Sequence, residues 1–437
     1  MIDLTGKIQI SKKRAEAIKK KVVAIDSFKK EIEKNLKQEV TELIEVILSG
    51  AIYFAASDIH FEPQEKEVKM RIRLDGMLHD VIFLPHDIYR FLLSRIKLLA
   101  GLKLNVHNKP QDGNFEVILP LSGKTDQAIE IRTSSLPADF GESIVMRILN
   151  PESLKSIEEL GLRNDLAELF KKEIQKPNGM IIITGPTGSG KTTTLYAFLK
   201  YIQKPEIKII TIEDPIEYRL KGASQTEVDA KKGYDFASGL RSIVRQDPDV
   251  ILVGEVRDIE TAKISLQAAL TGHLVFSTLH TNDAAGAIPR LTSIGADVIN
   301  IGPAINMVVA QRLVRKVCKE CSVSRPATAE EKEKIKKELN NVPKPILSGI
   351  DISGEINLPK IKGCKACNFT GYKGRVGIFE TFLITDEVEA LILKNPAIFE
   401  IKELISKNGT LYMRQDGLMK VLKGITTIEE IDRVTGE

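Results

Sequence analysis

The segment Met180–Thr194, MIIITGPTGSGKTTT, constrains the fold of this chain more than any other. An apolar strand opens directly into the phosphate-binding pattern G-x-x-x-x-G-K-[ST] and then into a helix. Gly185, Gly188 and Gly190 let the backbone curl so that successive N–H groups point at phosphate oxygens, and the following helix N-terminus adds partial positive charge. Pro186, Thr187, Ser189 and Thr193 fill out the loop. Lys191 can reach the β and γ phosphates as a point charge, and the Thr192 hydroxyl can ligate Mg²⁺. A nucleoside triphosphate is the expected ligand.

Apolar strands alternate with helices around this motif, which predicts a largely parallel α/β sheet covered on both faces. Strands are expected at Met180–Thr184, Ile207–Ile212, Val250–Val253 and Leu274–Thr278, with active-site loops leaving their carboxyl ends. Val250–Val253 is followed by Gly254 and Glu255, a carboxylate at a strand end beside the phosphate loop. Glu255 is the best single candidate for binding Mg²⁺ through water or orienting the attacking water. A second acidic group, Glu213, Asp214 and Glu217, follows another apolar strand. Clustered carboxylates beside a triphosphate repel unless Mg²⁺ or arginines neutralise them, so the site should require metal. The box Thr271–Asp283 places His273 and His280 at either end of a strand, where they can contact or sense the γ phosphate.

At 437 residues the chain is too long for one ordinary domain. No apolar run reaches the roughly 18 to 20 residues that span a bilayer, and Met1–Lys21 has no apolar signal-peptide core. A cytoplasmic location is expected. With 63 basic and 59 acidic residues the net charge is only +4, so bulk charge implies no polyelectrolyte partner. The four cysteines fall in two pairs, Cys318-x-x-Cys321 and Cys364-x-x-Cys367. In a reducing compartment this spacing reads as a structural four-thiolate zinc site, with redox chemistry or incidental thiols as the alternatives. Ala329–Val342 looks like a helix of the insertion between the knuckles. Near the N-terminus Ile18, Val22, Ile25, Phe28, Ile32 and Leu36 recur at near-helical spacing, the stripe of a helix packed on its own protein or docking a partner or membrane surface. From Val40 to Ile148 the pattern is that of an α+β domain: a helix over Thr41–Ile52, an alternating run over Val68–Leu84, a helix near Ile88–Ala100, and strands around Phe115–Leu119, Ala128–Thr133 and Ser143–Leu149.

The phosphate loop, the acidic box Thr211–Glu217, the pair Gly254-Glu255 and the histidine box Thr271–Asp283, in this order, resemble the type II secretion and type IV pilus assembly ATPase family. Ser57–His60, Arg71-x-Arg73-x-Asp75-Gly76, Pro110–Gly113 and Gly141-Glu142 resemble the domain that precedes the nucleotide domain there. Ala310–Arg315, running into the paired cysteines, resembles the assembly subfamily; retraction motors generally lack the tetracysteine insert. The resemblance implies a RecA-like P-loop domain preceded by an α+β, PAS-like domain, with a small zinc-binding insert and a helical C-terminal region. The corresponding divisions are 1–39 (charged helical segment), 40–150, 151–165 (linker), 166–315, 316–376 (tetracysteine region) and 377–437. It further implies a homohexameric ATPase using ATP and Mg²⁺, with Zn²⁺ structural. The ring would act on an inner-membrane platform protein from a peripheral position at the membrane, with no nucleic acid expected. Lys191, Glu255, Glu213 and His280 are then the catalytic candidates. Arg132 and Arg147, on strands of the preceding domain, are candidates for approaching the nucleotide phosphates. Two rivals stand beside this reading: a nucleic-acid translocase of the hexameric P-loop class, and a nucleotide-gated scaffold without useful turnover.

Overall fold

A computed structural model describes residues 6–120, 126–151, 154–347, 350 and 352–436. The expected N-terminal segment and linker each include a few positions outside this set. The chain forms two compact units, Met1–Ser153 with Lys362–Lys373, and Leu154–Ile361 with Gly374–Glu437.

The first unit is built on seven strands: β1 (Lys7–Gln9), β2 (Asp58–Pro63), β3 (Val68–Leu74), β4 (Met77–Leu84), β5 (Gln111–Leu119), β6 (Gln127–Ala138) and β7 (Gly141–Leu149). Their order in the sheet is β1-β5-β6-β7-β2-β3-β4. β1 adds in parallel to β5, and the remaining neighbours are antiparallel. In β3 the alternation is clean: Val68, Met70, Ile72 and Leu74 are buried, and Lys69, Arg71 and Arg73 lie on the other face. Asp75 and Gly76, both at positive φ, turn β3 into β4 as a two-residue hairpin. The N-terminal stripe splits into two helices, Lys12–Lys21 and Ile25–Asn35. Ile18, Phe28 and Ile32 are almost fully buried in the same core as Ile59 and Phe61. Three such side chains contribute roughly 5–9 kcal/mol as an upper bound on the burial term. Gly50, in the helix Val40–Tyr53, makes room for them: a Cβ there would fall 2.2 Å from the Phe28 ring. β1 was not anticipated, because three residues of a polar edge strand carry no periodic signal.

The second unit contains β8 (Gly179–Thr184), β9 (Ile209–Glu213), β10 (Ala223–Glu227), β11 (Val250–Val253), β12 (Leu274–Leu279), β13 (Ile305–Val317), a ribbon of β14 (Val323–Pro326) with β15 (Asn357–Lys360), and all but the first two residues of β16 (Tyr372–Leu383). The large sheet has the order β10-β9-β11-β12-β8-β13-β16. β10, β9, β11, β12, β8 and β13 pair in parallel. Every residue of β8, β9, β11 and β12 is buried, which is why their sequences read as mainly apolar runs rather than alternations. The carboxyl ends of these four strands carry Gly185, Asp214, Gly254 and His280 as their next residues. The insertion helix spans Ala329–Leu339, capped by Thr328 with Glu331 closing a capping box. Beyond β16 come four helices, Asp386–Ile392, Ile398–Lys407, Met413–Leu422 and Ile428–Thr435. Among the described residues no helix is long and apolar enough to cross a membrane.

Candidate active site

The phosphate loop leaves β8 at Thr184. Gly185, Gly188 and Gly190 have φ of 148°, 79° and 90°, conformations that a side chain strongly disfavours. Space adds a second constraint at two of them. A Cβ on Gly185 would lie 2.4 Å from the Gln311 carbonyl oxygen, and one on Gly190 would lie 2.8 Å from Gln311 Nε2. Gln311, buried on β13, therefore forms the wall behind the loop, and its Oε1 accepts a 2.7 Å hydrogen bond from Thr194 Oγ1 in the helix Lys191–Ile202. Lys191 Nζ donates to the carbonyls of Gly185 at 2.8 Å and Pro186 at 3.2 Å. Burial lowers the pKa of this ammonium, and the Glu255 carboxylate opposes that effect. Ser189 Oγ is buried without a hydrogen-bond partner among the described residues. A glycine cradle, a helix N-terminus, a lysine and an orphaned hydroxyl fit a polyphosphate.

Glu255 sits on a segment fixed from both sides. Gly254 N donates to Ile212 O at 2.8 Å, Thr278 Oγ1 donates to Gly254 O at 2.7 Å, and Val256 N donates to Thr278 O at 3.1 Å. A Cβ at Gly254 would lie in van der Waals contact with the backbone of β9, 3.4 Å from Ile212 O and Glu213 Cα. The Glu255 carboxylate, largely buried, pairs with the Arg257 guanidinium through one oxygen and stands 3.5 Å from His280 Nε2 through the other. Burial pushes the His280 imidazole below its ordinary pKa, Lys191 and Arg257 push the same way, and Glu255 opposes them. The net effect favours the neutral imidazole.

Glu213 has a different environment. Its carboxylate is buried and accepts from Tyr196 Oη at 2.5 Å, Thr211 Oγ1 at 2.6 Å and Gln225 Nε2 at 3.3 Å. Burial raises its pKa against these hydrogen bonds. His273 lies elsewhere. Leu274 opens β12 opposite Gly179, at the amino end of the sheet, so His273 stands at the edge remote from the phosphate loop. Its Nδ1 meets the Ala268 carbonyl at 3.0 Å, at the end of the helix Ile259–Leu270. The expected phosphate contact from His273 is therefore corrected to a structural role, since the strand's length separates the two histidines.

In the first unit Arg132 and Arg147 are direct register partners on β6 and β7, and Arg147 is opposite Asp58 on β2, which is opposite Arg73 on β3. Arg147 Nε and Arg73 Nε each stand 3.2 Å from an oxygen of buried Asp58, and Arg132 Nε stands 3.3 Å from Glu130 Oε1. A row across four strands thus carries three arginines and one aspartate, with Arg147 and Arg73 flanking Asp58. Arg73 was visible in its motif but not singled out.

The four cysteine sulfurs lie within 4.8 Å of one another. Cys364 Sγ and Cys367 Sγ are 3.8 Å apart, and the amides of Cys364 and Gly371 donate to Cys367 Sγ at 3.2 and 3.3 Å. Four thiolates bound at ~2.3 Å to one tetrahedral zinc stand ~3.8 Å apart, so donor set and spacing fit that ion. N–H donors onto a sulfur also suit a thiolate.

Residues 33–433 match the family model described as type II/IV secretion system protein. The chain belongs to this family. Among its relatives is the type II secretion system protein E of Pectobacterium carotovorum subsp. carotovorum, 44% identical over 399 residues, covering 91% of this chain and 76% of that protein. The type IV pilus assembly ATPase PilB of Thermus thermophilus is 41% identical over 427 residues, 98% of this chain and 46% of that protein. PilB of Pseudomonas aeruginosa is 42% identical over 401 residues, 91% and 67% of the two chains. Of solved structures, the pilus retraction motor PilT with bound ADP superposes with a TM-score of 0.58 at 25% identity, covering 90% of this chain and 96% of that one. The Legionella pneumophila ATPase DotB, at 20% identity, TM-score 0.64 and coverage of 90% and 95%, shares the fold. This secretion-family chain is accordingly an ATPase. Arg257, Gln311, Tyr196 and Gln225 are site residues that sequence reasoning missed. Arg257 lies two residues after Glu255 and Gln311 within a quoted motif, so proximity was the available signal; Tyr196 and Gln225 had none.

Proposed function

We propose that this chain is a hexameric, Mg²⁺-dependent ATPase that powers assembly of a type IV pilus or type II secretion pseudopilus. Its mechanical partner would be an inner-membrane platform protein, and the ring would work peripherally at the cytoplasmic face. The observation that supports this best is the convergence of Glu255, Arg257 and His280 on one point beside the phosphate loop. Lys191 exchanges the carbonyls of Gly185 and Pro186 for phosphate oxygens. Mg²⁺, held by Thr192 and by Glu255 through water, would neutralise triphosphate charge. The Glu255 carboxylate orients water for attack, and neutral His280 reports on or hydrogen-bonds the γ phosphate. Glu213 assists by holding Tyr196 on the phosphate-loop helix. Arg132 and Arg147 supply charge to the phosphates when the preceding domain closes, coupling hydrolysis to domain motion. The zinc site is structural.

The test is complementation of a deletion strain with the wild-type gene or Glu255→Gln, scored for surface filaments, secreted protein and DNA uptake. Glu255→Gln should keep ATP binding and lose about 10²-fold or more in turnover. Filaments or secretion restored only by the wild-type gene support an ATP-driven assembly motor and identify its branch. Full restoration by Glu255→Gln means hydrolysis is not the function.

A further inference from the structure

The loop that follows His280 is gripped at both ends. On the phosphate-loop side, Thr281 N donates to Thr184 Oγ1 at 2.8 Å, and the two threonine hydroxyls are 2.7 Å apart. Thr184 is the last residue of β8, immediately before Gly185. On the other side the grip comes from the C-terminal region. Asp283 Oδ2 pairs with Lys402 Nζ at 2.7 Å, and Ala284 N donates to Glu380 Oε1 at 2.9 Å. Glu380 is buried on β16, and its second oxygen accepts from Met413 N at 3.3 Å. Phe379 N, next along, donates to buried Asp416 at 2.9 Å, so the helix Met413–Leu422 braces this part of β16 twice. Lys402 comes from the helix Ile398–Lys407.

Two C-terminal elements therefore hold the five residues that begin one position after His280, and a third braces one of those two. We propose that Glu380 and Lys402 are positioning residues for ATP hydrolysis, holding the loop Thr281–Ala285 so that His280 stands beside Glu255. Neither side chain touches the reacting atoms. Both fix the backbone that carries the histidine, and Thr184 fixes the same backbone to the phosphate loop. A change in the phosphate loop is thereby transmitted to the C-terminal helices, and a displacement of those helices moves His280. The inference rests on the role proposed above for His280.

The experiment compares steady-state ATPase of the full chain for wild type, Lys402→Met, Lys402→Arg, His280→Ala and the double variant His280→Ala/Lys402→Met. Lys402 is partly exposed, so its replacement should leave the circular dichroism spectrum unchanged; if Lys402→Met fails to fold, Lys402→Gln carries the same comparison. In Lys402→Met, kcat should fall about tenfold with KM for ATP within about twofold of wild type, the mark of misplaced rather than missing machinery. Lys402→Arg should restore most of the loss. The double variant should be no slower than His280→Ala alone, because removing the histidine removes what Lys402 positions. Wild-type kcat in Lys402→Met, or multiplying defects in the double variant, would overturn the inference while leaving His280 in place. Wild-type turnover in His280→Ala would instead remove the histidine from the mechanism, and the inference with it.

Discussion

Glu430 offers a direct measure of how firmly the C-terminal helix is fastened to β13, the strand that backs the phosphate loop. Its side chain is completely buried. Its carboxylate accepts from Arg315 Nη2 at 2.6 Å, from Arg315 N at 3.0 Å, and from Arg433 Nη2 and Nε at 2.6 and 2.8 Å. Burial pushes the carboxyl pKa up, but the two arginines outweigh it and hold it down at about 2, against an ordinary 4.5. Multiplying that difference by the free energy of one pKa unit gives roughly 3 kcal/mol. The sign follows from the direction: a depressed folded-state pKa stabilises fully above about 4.5, and the contribution disappears as pH falls through about 2, with roughly 2 kcal/mol of it gone by pH 3. Glu430→Gln removes the charge with little change of shape. Hydrogen exchange read by mass spectrometry on peptides from Ile305–Val317 and Ile428–Thr435, corrected for intrinsic rates, isolates this joint from the rest of the molecule. At pH 7 the variant should lose about 10²-fold in protection there, and the difference should shrink between pH 5 and pH 3. Equal protection at pH 7, or a difference that does not change with pH, would refute the reasoning.

Metal analysis of purified protein should find about one zinc per chain. Folded protein without metal would leave the four cysteines as ordinary thiols. Arg132→Ala and Arg147→Ala should each reduce ATP turnover while leaving the fold intact, because Arg73 still pairs with Asp58 when Arg147 is removed. Unchanged kinetics in both, measured at saturating ATP, would place these arginines outside the phosphate clamp.

The legible part of this molecule is the part whose physics is local. A strand buried on both faces is mainly apolar, so β8, β11 and β12 were found within a residue or two. The phosphate loop was legible because its glycines serve backbone conformation, which is a property of consecutive residues. β10 was not, because Ala-Ser-Gln-Thr-Glu forms an edge strand with no apolar period. β13 and β16 escaped for another reason. Their middles carry Gln311, Arg312 and Glu380, polar groups that make sense only through partners distant in sequence: Thr194, Val434 and Ala284. The histidine box shows the same limit. Sequence places His273 and His280 at the two ends of one strand, but only the pairing of Leu274 with Gly179 reveals which end meets the phosphate loop.

The two glutamates at neighbouring strand ends show how environment divides chemistry between identical side chains. Glu213 ends β9 and Glu255 follows β11, and by sequence either could activate water. Glu213 is surrounded by neutral donors, Tyr196, Thr211 and Gln225, with no cation among its hydrogen-bond partners, so burial raises its affinity for a proton. Glu255 faces Arg257 and His280 and interacts with Lys191. Its carboxylate stands against a guanidinium and beside the phosphate-loop lysine, where a water-orienting group or metal ligand is needed. Glu213 already spends both oxygens on Tyr196 and Thr211, which lie on the phosphate-loop helix and on β9. To act directly on water it would first have to release one of them, and the release would loosen the helix that carries Lys191 and Thr192. The geometry therefore favours Glu255 for the chemistry and Glu213 for holding in register the helix on which that chemistry depends.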